Sequence, residues 1–184
     1  MRQIRRNVFE TNSSSSHSIS LCSRTRVPNT MEISEYDSDF NGQNVLYVDL
    51  EGFCSDYTYT RQEEKLAYVF MQLASINDMY YDVIDGVEEV LETFYETDDF
   101  KTFESAVCEH IRDSGQKCDI VRLRPGTNGY IDHESRFYNK YDAAWYIGDD
   151  SIYTLVDLIF SEDSEIIFHY GGWYETSKKK YFWN

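Results

Sequence analysis

The sequence predicts an α+β domain in which short antiparallel β-sheets surround a central group of three helices, with a fourth helix near the C-terminus. Short runs of β-branched and aromatic residues, bounded by turn residues, lie towards both ends of the chain. Apolar residues recur at intervals of three and four through its middle. Only 2 Pro and 9 Gly occur among 184 residues, so a low-complexity chain is not expected.

The predicted strands are short and lie between turns. Their ranges are 18–22, 32–35, 44–50, 119–124, 130–135 and 165–170. The strands at 119–124 and 130–135 flank a Pro-Gly turn and are expected to form a hairpin. Residues 36–43 and 51–59 are rich in Asp, Ser, Gly and Asn, so both segments are expected to be loops.

The first two helices are predicted from apolar spacing. The first follows the capping-box pattern Thr60-x-x-Glu63 and carries its apolar stripe as far as Ile76. The second is predicted as one helix over residues 78–96, although Gly86 lies within it.

The other two helices are predicted from their ends. The third follows Asp98 and Asp99 and stops at Ser114. The fourth is capped by Ser151 and covers residues 152–160.

Charge divides the chain into regions. Overall there are 33 Asp and Glu against 17 Lys and Arg, which gives a net charge of -16. Residues 31–105 form an acidic middle segment, whereas residues 1–17 form a basic, Ser-rich arm that precedes a single domain over residues 18–184. Because phosphates repel so acidic a molecule, broad binding to bare DNA or RNA is not expected.

The remaining composition indicates no cofactor, metal or membrane. The four cysteines form no C-x-x-C pair and have no Cys/His ligand spacing, so reduced and buried thiols are expected. No apolar run approaches the roughly 20 residues of a membrane span. No apolar stretch follows the N-terminal arginines, so a secretory signal is not expected.

Negative side chains form a line on the predicted second helix. Six carboxylates fall at intervals of four and three, with Glu88 beside them: Asp78, Asp82, Asp85, Glu89, Glu92 and Glu96. Like charges at these intervals cost roughly 0.2–0.5 kcal/mol each, and no base relieves them. The line is either a solubilising face or a mimic of nucleic-acid phosphates that binds an Arg- and Lys-rich cleft. A calcium site is disfavoured, because the EF-hand loop pattern is missing.

A second distinctive string lies near the N-terminus. Its candidate functional residues are Arg6, Glu10, Asn12, Ser13, Ser14, Ser15, Ser16 and His17. Hydroxyls around an imidazole are compatible with a Ser–His nucleophile pair or with a phosphate cradle, but neither a G-x-S-x-G elbow nor a Gly-rich loop accompanies them. Such polar runs also satisfy backbone groups in turns, so a structural lead into the first strand is the third interpretation.

The string R-N-V-F-E-T-N-S-S-S-S-H-S at residues 6–18 resembles the opening of small proteins from bacteriophages and mobile elements. The acidic build with 16 Tyr is similar to anti-CRISPR proteins that inhibit RNA-guided nucleases by imitating DNA. The resemblance implies a non-enzymatic inhibitor in the cytoplasm of a bacterial host, whose partner is a type II CRISPR effector nuclease with its guide RNA. The alternatives are a small phage enzyme that uses Ser13–Ser16 and His17, and a phage structural or assembly protein.

Overall fold

A computed structural model of the chain describes residues 15–21, 25–53, 57–131, 136–137 and 151–170. Within these ranges the predicted α+β class is confirmed, because α-helices pack against two three-stranded sheets. The helices are α1 (Gln62–Ile76), α2 (Tyr80–Ile84), α3 (Glu88–Tyr95), α4 (Asp98–Asp113) and α5 (Ile152–Phe160).

The first sheet joins the two ends of the described chain. β6 (Glu165–Tyr170) lies in the middle and pairs antiparallel with β1 (Ser15–Ser20) and with β4 (Tyr57–Tyr59). β6 covers the predicted residues, whereas β1 begins at Ser15, earlier than predicted and inside the predicted arm. β4 lies in a segment predicted to be a loop, because three residues are too few for a recognisable alternation.

The second sheet is mixed. β2 (Ser34–Asp37) pairs antiparallel with β3 (Gln43–Val48), and a short 3-10 turn connects them. β5 (Ile120–Leu123) lies parallel to β3 on the other side, with Val45 opposite Ile120. The expectation of antiparallel pairing therefore holds for the first sheet and for only one of the two strand pairs here.

The predicted hairpin after β5 is wrong in the part that the structure describes. The outer edge of β5 is covered by helical side chains: the amides of Val121 and Leu123 donate to the Glu104 carboxylate (2.8 Å) and the Tyr95 hydroxyl (3.1 Å). Tyr130 forms a parallel bridge with Gly52 instead. Residues 132–135, the rest of the predicted second strand, lie outside the described residues.

Helix α1 forms the centre of the fold. Residues 66–74 are all at most 1% exposed, and the helix packs against α2, α5 and β3. The predicted apolar stripe is part of this surface, but polar Gln72 is buried as well, and its side-chain oxygen accepts a hydrogen bond from the Phe137 amide (2.8 Å). A helix buried on all sides must satisfy its polar groups internally.

The capping box of α1 is displaced by one residue from the predicted position. The helix begins at Gln62, and it is the carboxylate of Glu64, rather than that of Glu63, that accepts hydrogen bonds from the amides of Thr60 and Arg61 (3.0 Å each). Glu64 is buried and Glu63 is exposed. Tertiary burial thus selects which of two adjacent glutamates caps the helix.

The predicted helix over residues 78–96 is wrong as a single element, because it is two helices separated by a turn. Gly86 adopts a φ of +71°, which no residue in a right-handed helix can have. The amide of Val87 donates to the Asp82 carbonyl (2.9 Å) and that of Gly86 to the Val83 carbonyl (3.2 Å). These two bonds form a Schellman motif that ends α2, and α3 then starts anew.

Helix α5 agrees with its prediction, whereas α4 ends as predicted but begins at Asp98, earlier than predicted. The Thr97 hydroxyl accepts a hydrogen bond from the Phe100 amide (3.3 Å) at the start of α4, which ends at Asp113 as expected. The Ser151 hydroxyl accepts one from the Tyr153 amide (3.3 Å) at the start of α5. The sequence therefore identified the cap of α5, whereas Thr97, the cap of α4, was not predicted.

A lysine is enclosed in the core beside the end of α5. Lys65 on α1 is 1% exposed, and its Nζ donates to the carbonyls of Ser161 (2.8 Å) and Ser164 (3.3 Å). Burial lowers the pKa of Lys65 to about 8. The ammonium therefore ties α1 to the turn between α5 and β6, at the cost of desolvating a charge.

Replacing Gly86 by Ala distinguishes two helices from one. In a continuous helix this change stabilises by about 1 kcal/mol. At a φ of +71° it is strained, and we expect Gly86→Ala to lower the free energy of unfolding by about 1 kcal/mol. Urea denaturation of the variant and the parent measures the sign of the change in the free energy of unfolding. A variant more stable than the parent would contradict the Schellman turn.

The lowered pKa of Lys65 predicts a pH-dependent contribution to stability. Between pH about 8 and the ordinary lysine value of 10.5, the unfolded state binds more protons at this position than the folded state. The free energy of unfolding, measured relative to a Lys65→Met variant, should therefore rise across this window by up to about 1.4 kcal/mol per pH unit. Urea titrations of both proteins from pH 7 to 11 test this, and a constant difference would show that Lys65 titrates normally.

Candidate protein-binding surface

The acidic segment, residues 78–96, is held to the core by a few large apolar side chains. Val83 on α2 and Phe94 on α3 are completely buried. Phe94 packs against Phe70 of α1 and Phe100 of α4, with ring centroids 5.3 and 4.9 Å apart. Aromatic pairs in this range add to the apolar burial, so both short helices have a fixed orientation.

Tyr80 adds a polar anchor at the start of α2. Its hydroxyl donates to the Ile131 carbonyl (3.1 Å) and accepts from the Ile131 amide (2.6 Å). Burial raises the pKa of Tyr80, so the hydroxyl keeps the proton that it donates. The Tyr80 hydroxyl thus connects Ile131 to α2 through two hydrogen bonds, one donated and one accepted.

The seven predicted carboxylates are all exposed. They occupy the turn before α2, both helices and their ends: Asp78, Asp82, Asp85, Glu88, Glu89, Glu92 and Glu96. The structure thus confirms their outward display, but the break at Gly86 divides them between two helices, so they do not form one straight line.

Most ion pairs of the described residues lie outside the acidic segment. The ion pairs are Arg26–Asp157, Arg61–Glu64, Arg61–Glu51, Lys101–Glu96, Arg122–Glu104 and Arg124–Asp49. Of these cations, only Lys101 forms an ion pair with the acidic segment: its Nζ lies 2.6 Å from the Glu96 carboxylate and lowers the pKa of that carboxyl. The other six carboxylates have no ion-pair partner among the residues that the structure describes.

Local structure accounts for four of the six unpaired carboxylates. Asp78 adopts a φ of +59°, a conformation that Asp tolerates better than most residues. Asp82 lies in the first turn of α2, and Glu88 and Glu89 lie in the first turn of α3. Negative charge is favourable at a helix N-terminus, and it is the break at Gly86 that gives Glu88 and Glu89 this position.

Two carboxylates remain in unfavourable positions. Asp85 is the C-cap of α2, and Glu92 lies in the last turn of α3, which contains no basic residue. A negative charge at a helix C-terminus is destabilising by up to about 1 kcal/mol. Neither folding nor an internal ion pair in the described chain explains these two charges.

Apolar and aromatic groups lie beside the acidic residues. Tyr81 is 65% exposed and Val87 is 42% exposed. The guanidinium of Arg136 lies over the rings of Tyr80 and Tyr81, at 4.4 and 4.8 Å, and donates to the Tyr81 hydroxyl (3.0 Å). No pattern in the sequence indicates that Tyr81 and Arg136 lie together, because their proximity depends on contact between residues that are 55 positions apart in the chain.

The acidic segment is also attached to the second sheet. Tyr95 at the end of α3 and Glu104 on α4 are the side chains that accept hydrogen bonds from the edge of β5. Arg122 of β5 pairs with Glu104, and its guanidinium lies 4.4 Å from the centre of the Tyr95 ring. These contacts protect a strand edge that would otherwise be open to another chain.

The structure places only part of the N-terminal motif. Ser15, Ser16 and His17 lie in β1, opposite Tyr170, His169 and Phe168 of β6. Arg6, Glu10, Asn12, Ser13 and Ser14 lie outside the described residues.

Comparisons with protein-family models, curated proteins and solved structures find no match to this chain. Among the described residues, no group of three or more His, Cys, Asp or Glu side chains is arranged to hold a metal ion. In the same part of the chain, no helix has the length and apolar character needed to cross a bilayer.

Charge reversal at the C-termini of α2 and α3 and charge reversal at the N-terminus of α3 should change the free energy of unfolding in opposite directions. We expect the double variant Asp85→Lys/Glu92→Lys to raise the free energy of unfolding by roughly 0.5–2 kcal/mol, because it places positive charge at helix C-termini. Glu88→Lys/Glu89→Lys changes the net charge equally but places positive charge at the N-terminus of α3, so it should destabilise. Urea denaturation at low ionic strength measures both, and equal shifts would show that only the net charge matters.

Proposed function

We propose that this chain is a non-enzymatic protein-binding module whose acidic segment docks on the basic nucleic-acid-binding cleft of a partner protein. The specific partner proposed is a type II CRISPR effector nuclease loaded with its guide RNA, in the cytoplasm of a bacterial host. By occupying the cleft, the chain competes with target DNA and inhibits the nuclease. Its carboxylates take the place of DNA phosphates, and its exposed tyrosine supplies apolar contact.

The observation that carries this proposal is the uncompensated charge of Asp85 and Glu92. Both are exposed at helix C-termini, where negative charge is unfavourable, and no described cation forms an ion pair with them. Residues in locally unfavourable positions, with no compensating contact inside the protein, are characteristic of functional surfaces. A cationic partner would relieve the repulsion on binding.

The break between α2 and α3 modifies the DNA-mimicry hypothesis. Carboxylates on two short helices with a turn between them do not reproduce the regular rise of a straight strand of phosphates. The proposed recognition therefore depends on local charge density rather than on a matched repeat. Attraction of this kind accelerates association and weakens as salt is added.

The partner is tested by direct competition. Purified chain is titrated into the guide-loaded nuclease and a labelled target duplex, and duplex binding and cleavage are measured at two salt concentrations. We expect the chain to displace the duplex and to lose affinity as salt increases. Failure to displace the duplex or to inhibit cleavage would contradict the proposed partner.

The contact surface is tested by the two charge-reversed double variants. Asp85→Lys/Glu92→Lys and Glu88→Lys/Glu89→Lys should each weaken binding by about tenfold or more. Because their expected effects on stability have opposite signs, a shared loss of binding cannot be a consequence of unfolding.

A matched control carries the same charge change on other elements. Glu32 precedes β2 and Glu162 lies in the turn after α5, and both are exposed. Glu32→Lys/Glu162→Lys should leave affinity within about threefold of the parent, since distant exposed charges are screened. If this control weakens binding as much as the other variants, net charge and not the acidic segment determines recognition.

A further inference from the structure

Two cysteines meet in the core between α4 and β5. Cys108 is on α4 and is 2% exposed, and Cys118, two residues before β5, is completely buried. Both are free thiols, yet their Sγ atoms lie 2.9 Å apart. They are only ten positions apart in the chain, and the turn that follows α4 lies between them.

The distance between the two sulfur atoms is shorter than a van der Waals contact and longer than a disulfide bond. Carbon atoms in contact lie about 3.5–4.0 Å apart, and sulfur is larger than carbon. A disulfide bond is about 2.05 Å long. The fold therefore holds the thiols closer than ordinary packing requires, and an approach of less than 1 Å would bring them to bonding distance.

We propose that Cys108 and Cys118 are a redox-active pair that forms an intramolecular disulfide when the chain folds in the presence of a small-molecule disulfide such as oxidised glutathione. One cysteine thiolate attacks the glutathione disulfide and releases one glutathione thiolate, which leaves a mixed disulfide. The second cysteine thiolate then attacks the sulfur of the first cysteine and releases the second glutathione. The two cysteines lose two electrons, glutathione disulfide is reduced to two glutathione molecules, and the released thiolates take up the two thiol protons.

Burial determines when the exchange occurs. The enclosed sulfurs are inaccessible to a tripeptide, and the neighbouring Cys118 and burial both raise the pKa of the Cys108 thiol. A thiol that is rarely ionised reacts slowly, so the dithiol of the folded chain reacts slowly with glutathione disulfide in solution. The oxidation state is therefore established while the chain folds and is retained afterwards.

The proposal is tested by measuring the disulfide equilibrium in the folded and unfolded chain. Reduced chain is refolded in a series of buffers containing reduced and oxidised glutathione, and an identical series contains denaturing urea. Free thiols are then alkylated, and peptide mapping identifies which of the four cysteines are bonded to each other. This gives the fraction of chains that contain the Cys108–Cys118 disulfide. We expect the equilibrium constant for this bond to be at least tenfold larger in the folded chain, because folding holds the sulfurs together.

Two further measurements complete the test. In the folded, reduced chain, oxidation by added glutathione disulfide should be at least tenfold slower than in urea, which reports the burial. A Cys118→Ala variant, whose fold is checked by circular dichroism, should yield no cross-link at Cys108. An equilibrium constant no larger in the folded chain than in urea, or a bond from Cys108 to another cysteine, would overturn the proposal.

Discussion

Helix α1 is buried along most of its length, with residues 66–74 covered on every side, and much of the fold packs around it. Its buried polar side chains cannot reach water, so they need partners inside the molecule, whereas Glu63 near its start is exposed. Lys65 finds the carbonyls at the end of α5, Glu64 caps the helix itself, and Gln72 accepts a hydrogen bond from the Phe137 amide. The Lys65 and Gln72 bonds join α1 to segments 65 to 99 residues away in the chain, so buried polar groups of the central helix help to hold distant segments on the core.

The acidic segment follows from the same requirement, because α2 and α3 both have to pack apolar residues on the central core. A straight helix would fix the angle between Val83 and Phe94, whereas the turn at Gly86 lets the two helices pack independently. The turn also moves Glu88 and Glu89 to a helix N-terminus, where their charge is favourable. Asp85 and Glu92 gain nothing from it, and the proposed cationic partner gives these two charges a role that the fold does not.

Several side-chain contacts between different elements lie close to the connection between α4 and β5. Glu104 and Tyr95 cover the edge of β5, Arg122 is held between them, and Cys108 meets Cys118 just before the strand begins. A covalent bond between the two sulfurs would restrain the same junction that positions the end of α3.

The sequence by itself determined the α+β class, α4, α5, β6 and the exposure of the acidic carboxylates, because capping residues, apolar periodicity and the cost of burying charge act locally. Only the tertiary structure decided the division of residues 78–96, since a single Gly is compatible with either a continuous helix or a Schellman turn until packing selects one. It alone decided that β5 pairs with β3, that Tyr130 at the described start of the next predicted strand bridges Gly52, and that Arg136 lies on Tyr81. Those outcomes depend on contacts between residues far apart in the chain, for which local spacing carries no signal.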